Sequence, residues 1–348
     1  MRAVSDSYTD EEFTSFRFRK RGIGPTCCCR MPTHFLKSNV DTVHWGHLSA
    51  AIPAKLTIDP GDRVVIDTLS GGRSDIGGDL SNLTPEHREI IDQLSPFPGP
   101  HILTGPVAVR GAAVGDTLEV RIVDVELTAD WGYNIMRPGR GALPEEFPFP
   151  RQQLFSIDRS RREVDLPWGA TLPLRPFFGI LAVAPRADVG TVSSIPPGEF
   201  GGNLDNKELV PGTSLFLPVL TPGALFSAGD GHAVQGDGEM DLTALETCMR
   251  GTFDLILHKN RQLAFPRAIT PTHYVTMGCD EDLDVAARMA SDHMLDWLQQ
   301  LTGWRREETY VFCTFACDLR VTQLVNVKKG IHAMVRRDFL ANSIEGAA

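Results

Sequence analysis

The sequence predicts a β-rich α+β fold: a sandwich- or barrel-like body with Gly/Pro-rich turns and a C-terminal helix packed on it. Three observations lead there. Short apolar-alternating runs recur between turn residues, 32 glycines and 24 prolines punctuate the 348 residues, and one stretch near the C-terminal end carries a sustained helical period.

Taken in order, residues 1–36 read as a disordered or variable N-terminal segment. "RKRGIGPT" and the triple Cys27, Cys28 and Cys29 lack periodicity, and the triple is either a metal-binding tract or part of a disordered or wrongly started N-terminus. Residues 37–340 read as one domain, because no linker rich in Gly, Ser or charge divides them. From Leu56, "LTIDPGDRVVIDT" is a strand, a Pro-Gly-Asp turn and a strand. "VAVRGAAVGDTLEVRIVDV" repeats the rhythm, with Leu118, Val120 and Ile122 on one face and Glu119 and Arg121 on the other. "LVPGTSLFLPVLTPGALF" repeats it again.

A helix follows Asp280, an N-cap with further acids at the positive helix end; Leu283, Ala287, Ala290, Met294, Trp297 and Leu301 recur at three-to-four spacing until Gly303. That stripe reads as core packing and His293 beside it as a surface residue. Beyond it, "TYVFCTFACDLRVTQLVN" reads as a buried segment and then an alternating strand.

Composition narrows the function classes. With 42% hydrophobic and 22% charged residues the chain is a globular one, and a net charge of -10 argues against nucleic acid, whose binding depends on clustered Lys and Arg. A small-molecule partner is expected. No apolar run reaches the roughly eighteen residues of a membrane span, and the N-terminus has acids and arginines where a signal peptide needs an apolar segment. Seven cysteines match no disulfide framework and no C-x-x-C zinc pair, so reduced thiols and a cytoplasmic location are expected.

H-E-x-x-H, G-x-S-x-G, the P-loop and G-x-G-x-x-G are all absent. What remains is three polar clusters among glycines: "TVHWGH" ending at His47, "GGNLDNKEL" from Gly201, and "GDGHAVQGDGE" from Gly229 to Glu239. The last matches no calcium loop. Its acids and imidazole, with Asp205, are nevertheless the donor types that hold a divalent cation and activate water. The competing reading makes Asp230 and Asp237 solvated turn residues, Asn203 and Asp205 turn caps, and His232 a hydrogen-bonded core histidine. Cys248, with no base partner in view, reads as a buried small hydrophobe rather than a nucleophile.

Read together, "GGNLDNKELVPGTSLFLPVLTPGALFSAGDGHAVQGDGEMDLTALE" resembles the signature region of the acetamidase/formamidase family. "SNVDTVHWGHLSAAIPAKLTIDPGDRVVIDTLSGG", "LTGPVAVRGAAVGDTLEV", "PLRPFFGILAVAP", "TMGCDEDLDVAARMA" and "DLRVTQLVN" resemble further blocks of it, so the likeness covers most of residues 37–340 as a catalytic domain. Residues 131–175 are less characteristic. The resemblance implies hydrolysis of short aliphatic amides to carboxylate and ammonia, on a β-rich fold in a homo-oligomer. His44 stands in the His-Trp block, Asn203 and Asp205 in the Gly-Gly-Asn-x-Asp block, and Asp230, His232 and Glu239 in the glycine-rich block.

Side-chain chemistry suggests the division of labour. Asp205 and His232 would hold a divalent metal, zinc or calcium; Glu239 and Asp230 would be catalytic; Asn203 and His44 would meet the substrate. For Glu239 the alternatives are a second metal ligand or a surface carboxylate. Gly231 stands where a larger apolar residue is expected, which would loosen the turn. Hydrolysis of another linear or cyclic C-N bond, or a non-catalytic β-rich small-molecule-binding relative, are the competing functions.

Overall fold

The computed structural model describes residues 31–77 and 80–345, so the Cys27–Cys29 tract lies outside the described residues. Among these, two large sheets and a two-stranded ribbon account for the strands. The nine-stranded sheet runs Thr33–Leu36, Arg63–Thr68, Met249–His258, Thr117–Leu127, Ser214–Pro218, Arg267–Ile269, His273–Asp280, Lys329–Arg336, Cys317–Gln323. The eleven-stranded sheet is centred on Phe226–His232, flanked by Phe177–Ala182, Glu246–Thr247 and Ile102–Val109. Neither sheet closes on itself among the described residues, so the barrel-like alternative finds no support, and the two sheets share one buried core in the manner of a sandwich.

Alternation explains the sandwich. Val64, Ile66, Leu118, Val120 and Ile122 turn inward from the first sheet and meet Val107, Leu181 and Phe226 from the second in one buried cluster. Each such side chain contributes about 1.5–3 kcal/mol by leaving water. The two strands around Pro60-Gly61 do not pair with each other: Leu56–Ile58 runs parallel to Ile102–Val109 in one sheet and Arg63–Thr68 pairs with Met249–His258 in the other. Glu119 lies on the outer face as expected, yet it is buried, covered by His258, Arg121 and Ser214 at 2.7, 2.6 and 2.9 Å.

Helix Leu283–Thr302 packs Ala286, Ala290, Met294, Trp297 and Leu298 on Tyr274, Ile331, Ala333 and Val335. Its N-cap is Asp282 rather than Asp280. The Asp282 carboxylate accepts the N–H groups of Asp284 and Val285, while Asp280 ends the preceding strand and accepts from Asp282 N–H. Gly303 closes the helix in the left-handed conformation at φ 72°, as expected.

Three α-helices among the described residues escaped the pattern, the shortest being Ala341–Glu345. Pro85–Gln93 begins after Thr84, whose hydroxyl accepts from His87 N–H, with Pro85 in the first turn. Arg306–Ala316 occupies the stretch read as buried: Tyr310, Val311 and Phe315 are exposed, while Phe312 and Cys313 pack on the helix–sheet core and Arg306 pairs with Asp292 and Asp296. Tyr310, Val311 and Phe315 give the stretch the composition of a buried segment while facing solvent. The strand that follows, Cys317–Gln323, does form and is a sheet edge.

Candidate active site

The first half of "GDGHAVQGDGE" is not a loop. Phe226–His232 is a fully buried strand, with Phe178 opposite Gly231 and Ile180 opposite Gly229 on one side and His232 opposite Glu246 on the other. Gly231 therefore loosens nothing: a Cβ there would stand 2.6 Å from the Thr247 carbonyl oxygen and 2.8 Å from Met249 Cγ. Asp230 interrupts the regular strand with φ 60°, and Asp205 and Glu239 also lie in the left-handed region, at 46° and 43°. Conformations of this kind cost about 1–3 kcal/mol each and persist where surrounding contacts over-determine them, as at ligand sites.

These residues converge. Donor atoms of Asp205, Asp230 and His232 lie within 4.8 Å of one another, as do those of His232, Glu239 and Glu246. His232 Nε2 is 3.2 Å from Glu246 Oε1, 3.3 Å from Asp230 Oδ2 and 3.8 Å from Asp205 Oδ1. Its other nitrogen is fixed by Gln235, whose Nε2 donates to the Asp205 carbonyl at 2.9 Å, so the amide oxygen 2.8 Å from Nδ1 accepts the ring N–H. The Nδ1 proton is thereby fixed, and Nε2, which faces the acids, is the nitrogen that a bound cation would deprotonate.

Four buried carboxylates around one imidazole are a costly arrangement in the absence of a counter-ion or protons. Burial raises the Asp205 carboxyl, and burial with Asp205 nearby raises Glu239 well above the usual range. Burial pushes Glu246 up to about 8. Asp230 goes the other way: burial raises it, but the imidazoles of His101 and His232 outweigh that and hold it low. Burial would lower His232, yet Glu246 and Asp230 raise it well above its ordinary value.

Asn203 Oδ1, Asp205 Oδ1, His232 Nε2, Glu239 Oε2 and Glu246 Oε2 are all buried without a hydrogen-bond partner. Buried polar atoms are rarely left so, and four orphaned oxygens in one cluster, beside an imidazole nitrogen that a cation would deprotonate, fit a divalent cation bound by oxygens and one nitrogen. The residues present thus suit zinc or calcium.

The cluster forms the floor of a cavity of about 120 Å³, to which Asn203, Asp205, Asp230 and Glu239 all contribute. Ile102, Ile135, Ile195, Leu242 and Val325 supply its apolar wall. It is small beside the roughly 300–1,000 Å³ of drug-sized ligand pockets. His232 lies beneath the floor, 1% exposed. His44 is not among the lining residues. It is buried with Nδ1 2.6 Å from the His47 carbonyl and Nε2 3.0 Å from Ser227 Oγ, and burial lowers its pKa to about 4. Of the other sequence candidates, Asp237 pairs with Lys207 at 2.8 Å, and Cys248 is packed in an apolar cluster with its thiol pushed up to about 11 by burial.

Sequence reasoning missed four contributors. Glu246 enters only through its register opposite His232. Gly179 lies beneath the acids, His101 bridges Ser194 at 2.8 Å and Asp230 at 3.8 Å, and Asn326 donates to Asp205 Oδ2. The usable signals were a histidine in a Gly-Pro setting at 101 and an acid following the glycine-rich block at 246.

Among the described residues no helix is long and apolar enough to cross a membrane. The profile of the family described as "Acetamidase/Formamidase family" matches residues 39–192 and 190–336. An acetamidase of Mycolicibacterium smegmatis is 27% identical over 253 residues, a match that spans 55% of this chain and only 59% of that relative. The crystal structure of an acetamidase from Bacillus halodurans is 30% identical with a TM-score of 0.77, covering 89% of this chain and 99% of that one. An acetamidase from Yersinia enterocolitica is 29% identical with the same TM-score, covering 90% and 94%. With both halves of the sandwich and the acid cluster inside the matched residues, the chain belongs to the acetamidase/formamidase family.

Proposed function

We propose that this chain hydrolyses short aliphatic amides of the formamide and acetamide type to a carboxylate and ammonia. The observation that carries the reading is the buried Asp205, Asp230, His232, Glu239 and Glu246 cluster at the base of a small cavity in a chain of this family. Asp205 and His232 hold a divalent cation, zinc or calcium, which when bound supplies Lewis acidity toward the substrate carbonyl.

The chain's own residues do the rest. Asn203 Oδ1, buried and without a partner, accepts an N–H of the substrate amide, and Asp230 beside it fixes the second. Glu239 lines the cavity and has an unpartnered oxygen; it removes the proton from the attacking water and delivers it to the departing nitrogen, a role typically worth about 100- to 10,000-fold. The isoleucine wall excludes water from the acyl side and leaves room for a short chain. His44 supports this pocket from behind through Ser227 on the central strand.

The same reading includes a homo-oligomer in the cytoplasm and no nucleic-acid or membrane partner. The exposed Tyr310, Val311 and Phe315 beside an edge strand are a surface that a second subunit would cover, and Cys248, Cys279, Cys313 and Cys317 are free thiols. Ammonia release from formamide, acetamide, propionamide, a lactam and a carbamoyl compound tests the assignment. Turnover confined to the first three supports it; none from any amide removes it.

A further inference from the structure

The edge strand Cys317–Gln323 belongs to the nine-stranded sheet, yet the turn after it reaches into the acid cluster of the other sheet. Gln323, completely buried, builds that turn: its Oε1 accepts the N–H groups of Val325 and Asn326 at 2.9 and 3.1 Å, and its Nε2 donates to the Lys328 carbonyl at 2.7 Å. Asn326 is thereby held with its amide donating to the Asn203 carbonyl at 3.3 Å and to Asp205 Oδ2. The same segment grips the residue before Glu239, since Gly238 N–H donates to Thr322 O and Leu324 N–H to Gly238 O, each at 3.0 Å.

We propose that Asn326 is a positioning residue which selects the oxygen of Asp205 that faces the site. The proposal rests on the cation-assisted reading above. A carboxylate has two equivalent oxygens and a free torsion, so a lone aspartate presents either one. Asn326 removes that freedom by occupying Oδ2, which leaves Oδ1 unpartnered and 3.8 Å from His232 Nε2. Gln235 fixes the backbone of Asp205 and the tautomer of His232 from the other side. The ligating atoms are thus oriented by two amides from different parts of the chain, and partners of this kind are worth about 10- to 100-fold in cation affinity or rate.

Asn326→Leu keeps the volume and removes the donor; Asn326→Ala is the second variant, should the branched side chain impair folding. Each full-length protein is stripped with chelator and titrated with zinc chloride and with calcium chloride, followed by calorimetry and by melting temperature. The kcat and KM for acetamide are measured beside wild type. Expected is a loss of cation affinity of about tenfold or more and a fall in kcat of about 10- to 100-fold, with KM within about threefold and a cation-free melting temperature close to wild type. Folded variants that bind the cation within threefold of wild type overturn the proposal, as does a wild type that binds neither cation. Wild-type protein that binds a cation in an Asn326-dependent way but releases no ammonia leaves the positioning role standing and removes the amidase reading. Wild-type activity with unchanged cation affinity in the variants does the reverse.

Discussion

Gly179 lies directly beneath the Asp205 and Asp230 carboxylates: a Cβ at this position would stand 2.5 Å from Asp205 Oδ1, 2.6 Å from Asp230 Oδ2 and 2.8 Å from His232 Cε1. One methyl group would therefore push three site residues apart at once. Gly179→Ala is expected to lower turnover by about 100-fold or more, since displacements near 1 Å have effects of that order. Metal content should fall with it. A variant that retains both, measured by ammonia release and elemental analysis, would show that the acids do not work as one site.

Glu239→Gln keeps size and hydrogen-bonding reach while removing the group proposed to carry the proton. Turnover is expected to fall at least about 100-fold with metal content unchanged. Loss of metal instead would reassign Glu239 as a ligand, and a rate within a few-fold of wild type would remove its catalytic role.

Glu119 predicts an acid-sensitive component of stability outside the site. Burial raises its carboxyl, but hydrogen bonds from His258, Arg121 and Ser214 outweigh burial and bring it to about 2. A carboxylate held below its unfolded value stabilises the fold above the unfolded pKa, and that contribution fades as the pH falls toward the folded one. Between about pH 5 and pH 3 the wild-type melting temperature should therefore fall more steeply than that of Glu119→Gln. Parallel slopes would contradict the pairing.

Ile195 forms part of the apolar wall and is only partly buried, so shortening it enlarges the cavity without opening the core. Ile195→Ala should raise kcat/KM for butyramide relative to acetamide by a few-fold, below the roughly 10- to 200-fold that a fully enclosed methylene is worth, because the wall is only partly buried at this position. An unchanged ratio would mean that the acyl chain lies elsewhere.

How much of this was legible beforehand follows from the range of each interaction. Strands at Arg63–Thr68 and Thr117–Leu127 announce themselves through local alternation, Ser214–Pro218 through its turn-then-strand rhythm, and the helix ending at Gly303 through its stripe and its left-handed cap. Helix Arg306–Ala316 did not, because its exposed Tyr310, Val311 and Phe315 carry the composition of a buried segment. Asp205, Asp230, His232 and Glu239 were visible as polar residues crowded among glycines. Gly179 and Asn326 were not, and His101 and Glu246 left only isolated hints, since the cluster is assembled through sheet register, a long-range turn and contacts between distant segments that leave no local periodicity. Gly231 misled for the same reason: its neighbours across the sheet, Thr247 and Met249, decide its size.

The most direct test is the initial rate of ammonia release from acetamide by chelator-stripped protein, before and after addition of one equivalent of zinc or calcium, with folding monitored by circular dichroism. Cation-assisted hydrolysis at the Asp205, Asp230, His232, Glu239 and Glu246 cluster predicts a stripped rate near background that one of the two cations restores, and no restoration in Gly179→Ala. A folded wild type that releases no ammonia with either cation, or one that turns over fully with all metal removed, would contradict it.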